Sequence, residues 1–336
     1  MTTSVIGGGG FLGLNLIDAL AESGVKPLCV RRARGNVLGL LTRRVPMVVG
    51  DLSDAESLAD ALEGTKVLYH LAGHYPRTSL HREAALHRAR TETQVVLDAA
   101  TRAGVQRLIY VSSTATVAPA EGRPSSEVDR FPGPPGLGAY HDVKWVMEDL
   151  VDKDHRLDTI TVCPSACLGP HDLRVGTSGL LVALARGMDP AYPRGLVSIV
   201  DVRDVAEALV RLGTSRSPPS RLILSAKTHD LETLMIELAH HFRVRAPRQA
   251  LSRESAIHFA NEEEKRVERN GGRAALPREI VDLIIHGVPL DGSLAETTLG
   301  LSYRPLTETL QAFGAWATKV GLIGPASSHR EEVSAT

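Results

Sequence analysis

Cysteine is scarce: three residues in 336, Cys29, Cys163 and Cys167. An odd, small set without paired spacing excludes a disulfide framework and points to a reducing compartment. Cys163-x-x-x-Cys167 has no second Cys/His pair placed to complete a metal site. The histidines do no better. His70 and His74 straddle a strand end and a loop, His240 and His241 are adjacent, and no H-x-x-x-H helix with a third ligand is visible. Metal is therefore not expected. No apolar run approaches 18 residues, which excludes a transmembrane helix and membrane insertion. Met1 leads straight into a strand and a glycine turn, leaving no place for a signal peptide, so a cytoplasmic protein is expected. Neither charge sign is in excess: the net charge of −1 argues against nucleic acid or an anionic membrane as a partner. No internal repeat or low-complexity segment is present.

What remains is an ordinary globular composition and one informative opening. Ser4-Val5-Ile6 reads as a buried strand, Gly7 to Gly13 as a glycine-rich turn, and Leu14 to Ser23 as a helix. Leu12, Leu16 and Leu20 share one face of that helix, and Gly24 stands where a helix C-terminal glycine belongs. Strand, glycine turn and helix make a dinucleotide-binding opening. Glycine admits a close backbone approach to a pyrophosphate, and the helix N-terminus offers that anion free N–H groups. Two spacings overlap: Gly7, Gly10 and Gly13 give G-x-x-G-x-x-G, while Gly8, Gly10 and Gly13 give G-x-G-x-x-G.

Strands and helices then alternate. Strands are expected at 27–30, 45–50, 66–71, 106–111 and 157–162, and helices at 54–62 (with Ser53 as N-cap), 80–103 and 140–153. That alternation calls for an α/β fold, a Rossmann-type doubly wound parallel sheet. Residues 119–138, rich in Pro and Gly, form a candidate lid or binding loop. After Pro164 the alternation lapses into a smaller C-terminal α/β substrate lobe. The expected division is 1–163 for the cofactor, 164–324 for the substrate lobe, interleaved with the first, and 325–336 as a disordered tail. The charge run Glu262 to Arg266 reads as a solvated helix face.

Candidate site residues fall at strand ends. Arg31, 18 residues past Gly13, ends the second strand with Arg32. An acid there would bind a ribose 2′-hydroxyl, whereas two arginines pair with a 2′-phosphate, so NADP(H) is favoured over NAD(H). Asp51 and Leu52 end the third strand, suited to the adenine; Leu71, Ala72 and Gly73 end the fourth, where small residues admit the cofactor. Ser112-Ser113 ends the fifth, and Tyr140-x-x-x-Lys144 lies on the following helix. The four-residue step puts Tyr140 and Lys144 on one face. A nearby ammonium is expected to lower the phenol's pKa and ready Tyr140 as general acid/base. Ser113 then orients the reacting oxygen, and Lys144 reaches the nicotinamide ribose.

With these residues in place, the chain resembles the extended short-chain dehydrogenase/reductases of the NAD-dependent epimerase/dehydratase family, over about Ser4 to Gly321. The resemblance rests on Gly7-x-x-Gly10-x-x-Gly13, Gly50-Asp51-Leu52, His70-Leu71-Ala72, Tyr110-Val111-Ser112-Ser113, Tyr140-x-x-x-Lys144, Pro164 to Pro170 and Val200 to Ala206. It is closest to the branch of dihydroflavonol-type reductases, hydroxysteroid dehydrogenases and hopanoid-associated sugar epimerases. It implies cofactor contacts at Gly7, Gly10, Phe11, Leu12, Gly13 and Pro164, a sugar, steroid, terpenoid or polyketide substrate, and a homodimer. Counting from the strand end selects Ser113 as the catalytic hydroxyl, while counting back from Val117 selects Thr114; the strand register fits Ser113 without a gap. Ala89 stands where an Asn is frequent, which leaves an Asn-assisted proton relay without its Asn. Reversible hydride transfer between NADP(H) and a carbonyl or secondary alcohol is the expected reaction. Two alternatives remain: a sugar-nucleotide epimerase with tightly held NAD, for which Arg174, Arg186 and Arg194 could meet a pyrophosphate, and a non-catalytic cofactor sensor.

Overall fold

A computed structural model describes residues 2–35, 37–76 and 78–324; the expected disordered tail lies outside them. In chain order the elements are β1 (Thr3–Ile6), α1 (Phe11–Glu22), β2 (Leu28–Arg31), α2 (Leu38–Leu41), β3 (Met47–Val49), α3 (Ala55–Ala61), β4 (Val67–His70), α4 (Arg82–Arg102), β5 (Arg107–Val111), α5 (Ala139–Asp152), β6 (Asp158–Pro164) and β7 (Ala166–Leu168). They continue with α6 (Gly179–Ala185), β8 (Tyr192–Pro193), β9 (Leu196–Asp201), α7 (Val202–Thr214), β10 (Arg221–Leu224), β11 (Lys227–Asp230), α8 (Leu231–Phe242), β12 (Ala250–Leu251), α9 (Arg253–Asn270), α10 (Arg278–Ile285), α11 (Ser293–Leu299) and α12 (Leu306–Lys319).

Seven parallel strands form one sheet in the order β10-β6-β5-β4-β1-β2-β3. Successive side chains point to opposite faces, so each strand feeds two cores. Val5, Cys29, Tyr69 and Ile109 enter the layer under α1 and α7. Ile6, Val30, Leu68, Leu108 and Tyr110 enter the layer under α3, α4 and α5. Burial on both faces explains why these strands read as unbroken apolar runs.

Several local expectations change. Asp54, not Ser53, caps α3: its carboxylate accepts from the Glu56 and Ser57 N–H groups, while Ser53 is turned back to Asp51. The sixth strand runs on to Pro164. Part of the stretch 164–324, expected as the smaller lobe, returns to the main layer: the helix α7 and the strand β10. α7 packs its Val205, Ala208, Leu209 and Leu212 under the sheet beside α1, and β10 is the sheet's edge strand beside β6. Local pattern could not place them, because an amphipathic helix looks alike in either layer.

A second layer covers the carboxyl ends of the strands. β7, β9 and β11 form a three-stranded sheet, and α6, α8 and α12 bury Leu181, Leu184, Leu234, Leu238 and Phe313 against it. The charge run on α9 is not wholly a solvated face. Lys265 and Arg266 pair with Glu262 and Glu263, but Glu264 is buried and accepts from the Ser79 N–H at 2.8 Å and hydroxyl at 2.5 Å.

Candidate active site

Strand order reverses between β1 and β4, where an open α/β sheet leaves a crevice beyond its strand ends. The glycine turn fills that point. Gly7 has φ +92°, and a Cβ there would stand 2.8 Å from the Ala72 nitrogen. A Cβ on Gly13 would stand 2.3 Å from the Gly7 carbonyl oxygen. Gly10 is the N-cap of α1, its N–H bonded to the Gly7 oxygen at 3.0 Å, with no side chain covering the first N–H groups. At Gly8 an added Cβ would meet only side chains, Cys29 and Ile17. Gly7 and Gly13 are the positions where the backbone itself leaves no room for a side chain, and Gly8 is closed by the buried Cys29 sulfur 2.7 Å from where a Cβ would stand. The cradle, with α1's free N–H groups at its rim, fits a dinucleotide pyrophosphate.

The strand ends hold the other candidates. Arg31 donates through Nη1 to the Arg32 and Ala33 carbonyls at 3.1 and 3.0 Å, and its Nε is buried without a partner among the described residues. Asp51 accepts from the Ser53 N–H and hydroxyl at 2.9 and 2.8 Å, which holds its carboxyl below the usual range. Leu71 bonds through its N–H to the Ile6 oxygen at 2.9 Å, so the ends of β4 and β1 advance together. Gly73 faces Met147, where a Cβ would stand 2.4 Å from its methyl.

Beyond β5 the chain tightens into a 3-10 turn, Thr114–Thr116, capped by Ser113, whose Oγ accepts from the Ala115 N–H at 3.2 Å. The Ser113 side chain also faces the Tyr140 phenol and pulls its pKa down. The ring of Tyr75 packs against that of Tyr140, centroids 4.9 Å apart. Lys144 donates to the Val111 carbonyl at 3.2 Å, and its ammonium lies 5.7 Å from the Tyr110 ring centre. Ser113, Tyr140, Phe11, Leu12 and Pro164 line one cavity of about 840 Å³. Its far end is apolar, walled by α6, α8 and α10 through residues such as Leu181, Leu234, Met235, Leu238 and Ile284.

A family model described as the NAD dependent epimerase/dehydratase family matches residues 3–222. The chain belongs to that family. It is therefore an NAD(P)-dependent enzyme with oxidoreductase or epimerase chemistry. Among relatives, a putative dihydroflavonol 4-reductase of Synechocystis sp. is 29% identical over 95% of each chain. Sterol demethylase protein B of Methylococcus capsulatus is 33% identical over 61% of this chain and 63% of its own length. The crystal structure of gox2253 superposes with a TM-score of 0.81 at 26% identity, covering 96% of this chain and 99% of that one.

Against this family site, two expectations need correction. The surroundings of Tyr140 raise its pKa where a lowered one was expected. Desolvation pushes the phenol up to about 12 despite Ser113, with Cys167, Glu279 and Cys163 also raising it. Desolvation brings Lys144 itself down to about 8. The ammonium donates to the Val111 carbonyl and lies beside the Tyr110 ring. Arg174, Arg186 and Arg194 do not gather around the cavity. Arg186 donates to the Leu322 carbonyl at 2.7 Å, Arg194 pairs with Glu232, and Arg174 stands exposed. Arg273 is the one arginine or lysine lining the cavity among the described residues.

One residue escaped the sequence reading. Glu148 extends the step from Tyr140 and Lys144 by four more residues, so the signal was there. Buried, it accepts from Ser112 (2.5 Å), Thr116 (2.7 Å) and Arg221 (2.8 Å), and it ties β5, β10 and the 3-10 turn to α5. Its charge opposes the depression of the Lys144 pKa. No metal-binding cluster of His, Cys, Asp or Glu forms among the described residues.

Proposed function

We propose that this enzyme transfers a hydride reversibly between NADP(H) and a carbonyl or secondary alcohol of a predominantly apolar small molecule of steroid, terpenoid or polyketide type. The observation that carries this reading is the cavity itself. Ser113 and Tyr140 line a cavity of about 840 Å³ whose other walls are mostly apolar, and among the described residues Arg273 is the one arginine or lysine there to meet the charge of a sugar diphosphate. Burying two phosphate charges with so little compensation is costly. Two relatives, the reductase and the sterol enzyme, bear names in keeping with apolar substrates.

Gly7, Gly10 and Gly13 would hold the pyrophosphate, Asp51 and Leu52 the adenosine, and Leu71 to Gly73 the middle of the cofactor. Arg31 and Arg32 would pair with the 2′-phosphate, since the residues that end β2 are two arginines and not an acid. Lys144 would take the nicotinamide ribose hydroxyls. When bound, the nicotinamide supplies or removes the hydride. Tyr140, held protonated by its surroundings, donates the proton to the carbonyl oxygen in reduction. Ser113 hydrogen-bonds that oxygen and aims it; its position facing the phenol supports it over Thr114.

The test is a titration with NADPH and NADH followed by nicotinamide fluorescence, on wild type and Arg31→Asp, together with turnover of trans-1-decalone. Tighter NADPH binding that Arg31→Asp reverses, and NADPH-dependent decalone reduction abolished by Tyr140→Phe, are expected. Equal binding of the two cofactors would overturn the NADP(H) assignment. Turnover of UDP-sugars but not of the ketone would overturn the substrate class.

A further inference from the structure

The cavity opens to solvent between two loops. Gly176 and Thr177, before α6, and Arg273 and Ala275, between α9 and α10, line it and are exposed. The second loop is held from α9: Arg266 donates to the Arg273 carbonyl at 2.7 Å, and Glu263 accepts the Ala275 N–H at 2.7 Å. The Arg273 side chain is held from the first loop, its Nη1 donating to the Arg174 carbonyl at 3.3 Å. Nε and Nη2 of that guanidinium have no partner among the described residues. They form an edge on which an arginine takes both oxygens of a carboxylate.

The acids of these loops face elsewhere. Glu263 pairs with Arg266 at 2.7 Å as well as with the Ala275 N–H. Buried Asp172 accepts from the Gly176 N–H and from the Ser178 N–H and hydroxyl. No Asp or Glu lines the cavity among the described residues. Arg273 is an uncompensated cation at the rim of a mostly apolar space.

We propose that Arg273 binds a carboxylate carried by the substrate, which is then an amphipathic acid: an apolar body in the cavity, its carbonyl at Tyr140 and its carboxylate at the rim. This names the substrate class within the reductase reading above and rests on it. A carboxylate brings one negative charge and two coplanar oxygens, which match one guanidinium edge. A phosphate monoester brings about −1.5 to −2 charges at pH 7 and leaves part of them unmet by one arginine. A neutral ketone of the same shape gains nothing from Arg273.

The test compares dehydrolithocholic acid, a steroid with its ketone and carboxylate at opposite ends, with its methyl ester, on the full chain. First, binding is read without turnover, by displacement of the uncharged apolar fluorophore N-phenyl-1-naphthylamine. The acid should displace it at about fivefold lower concentration than the ester, near the upper end for an exposed ion pair. Arg273→Gln should bring the acid to the level of the ester, and Arg273→Lys should keep part of the difference. Equal displacement by acid and ester in wild type, or a preference for the acid that survives Arg273→Gln, would overturn the proposal. Second, with NADPH, Arg273→Gln should raise the ratio of the acid's KM to the ester's about fivefold. If wild type reduces neither ketone while the acid preference is present and lost in Arg273→Gln, the carboxylate site stands and the reductase reading falls. If both are reduced with the same KM, the reductase reading stands and the carboxylate site falls.

Discussion

Removing Glu148 probes fold and site together. In Glu148→Ala, Arg221, 6% exposed, loses its carboxylate, and the Ser112 and Thr116 hydroxyls lose their shared acceptor. Stripping one partner from a buried ion pair costs ~3–5 kcal/mol. Arg221 keeps the Glu127 carbonyl at 2.7 Å and the Thr116 hydroxyl at 3.1 Å, which places the expectation near about 3 kcal/mol, the lower end of that range. Urea unfolding followed by fluorescence suits the measurement, because Trp145 sits on α5 with Glu148 and Trp316 on α12 in the second layer. Glu148→Leu with Arg221→Met should cost well under the sum of the single substitutions, since an apolar pair of similar volume leaves no orphaned charge. A loss below about 1 kcal/mol in Glu148→Ala, the worth of an exposed pair, would refute the view that this network ties the sheet to the catalytic helix.

Other outcomes follow from the same geometry. Gly13→Ala should cost about 1–3 kcal/mol by overpacking and abolish nicotinamide fluorescence enhancement, because its Cβ would stand 2.3 Å from the Gly7 oxygen. Lys144, with a folded pKa near 8 against an ordinary 10.5, disfavours the fold while charged. Below pH 8 that penalty is fully present, and it is relieved as pH rises from about 8 toward 10.5. In cofactor-free protein, wild type should therefore gain stability relative to Lys144→Met over that window by urea titration. Raised pKa values at Tyr140 and the cysteines give the opposite slope at high pH in both proteins and cancel. Leu234→Asp should weaken binding of an apolar fluorescent probe more than tenfold, with a charge buried in the cavity wall, while NADPH affinity by nicotinamide fluorescence is unchanged.

Much was legible in the residues alone. The strand–glycine–helix opening, the alternation of apolar runs with amphipathic helices, and Tyr140 four residues before Lys144 are local patterns, and local patterns are dictated by φ/ψ preference, pleat and helical pitch. They were enough for the fold and the family, and for placing the candidate residues at successive strand ends. Three matters needed the assembled molecule. The return of α7 and β10 to the main sheet depends on which layer an apolar face meets. The partner of the Lys144 ammonium depends on what lies above it, here the Val111 carbonyl and the Tyr110 ring. The apolar character of the cavity arises where α6, α8 and α10, far apart in sequence, converge over Tyr140. Spacing along a chain fixes what a helix or strand presents; burial and charge compensation are set by neighbours that only tertiary packing supplies.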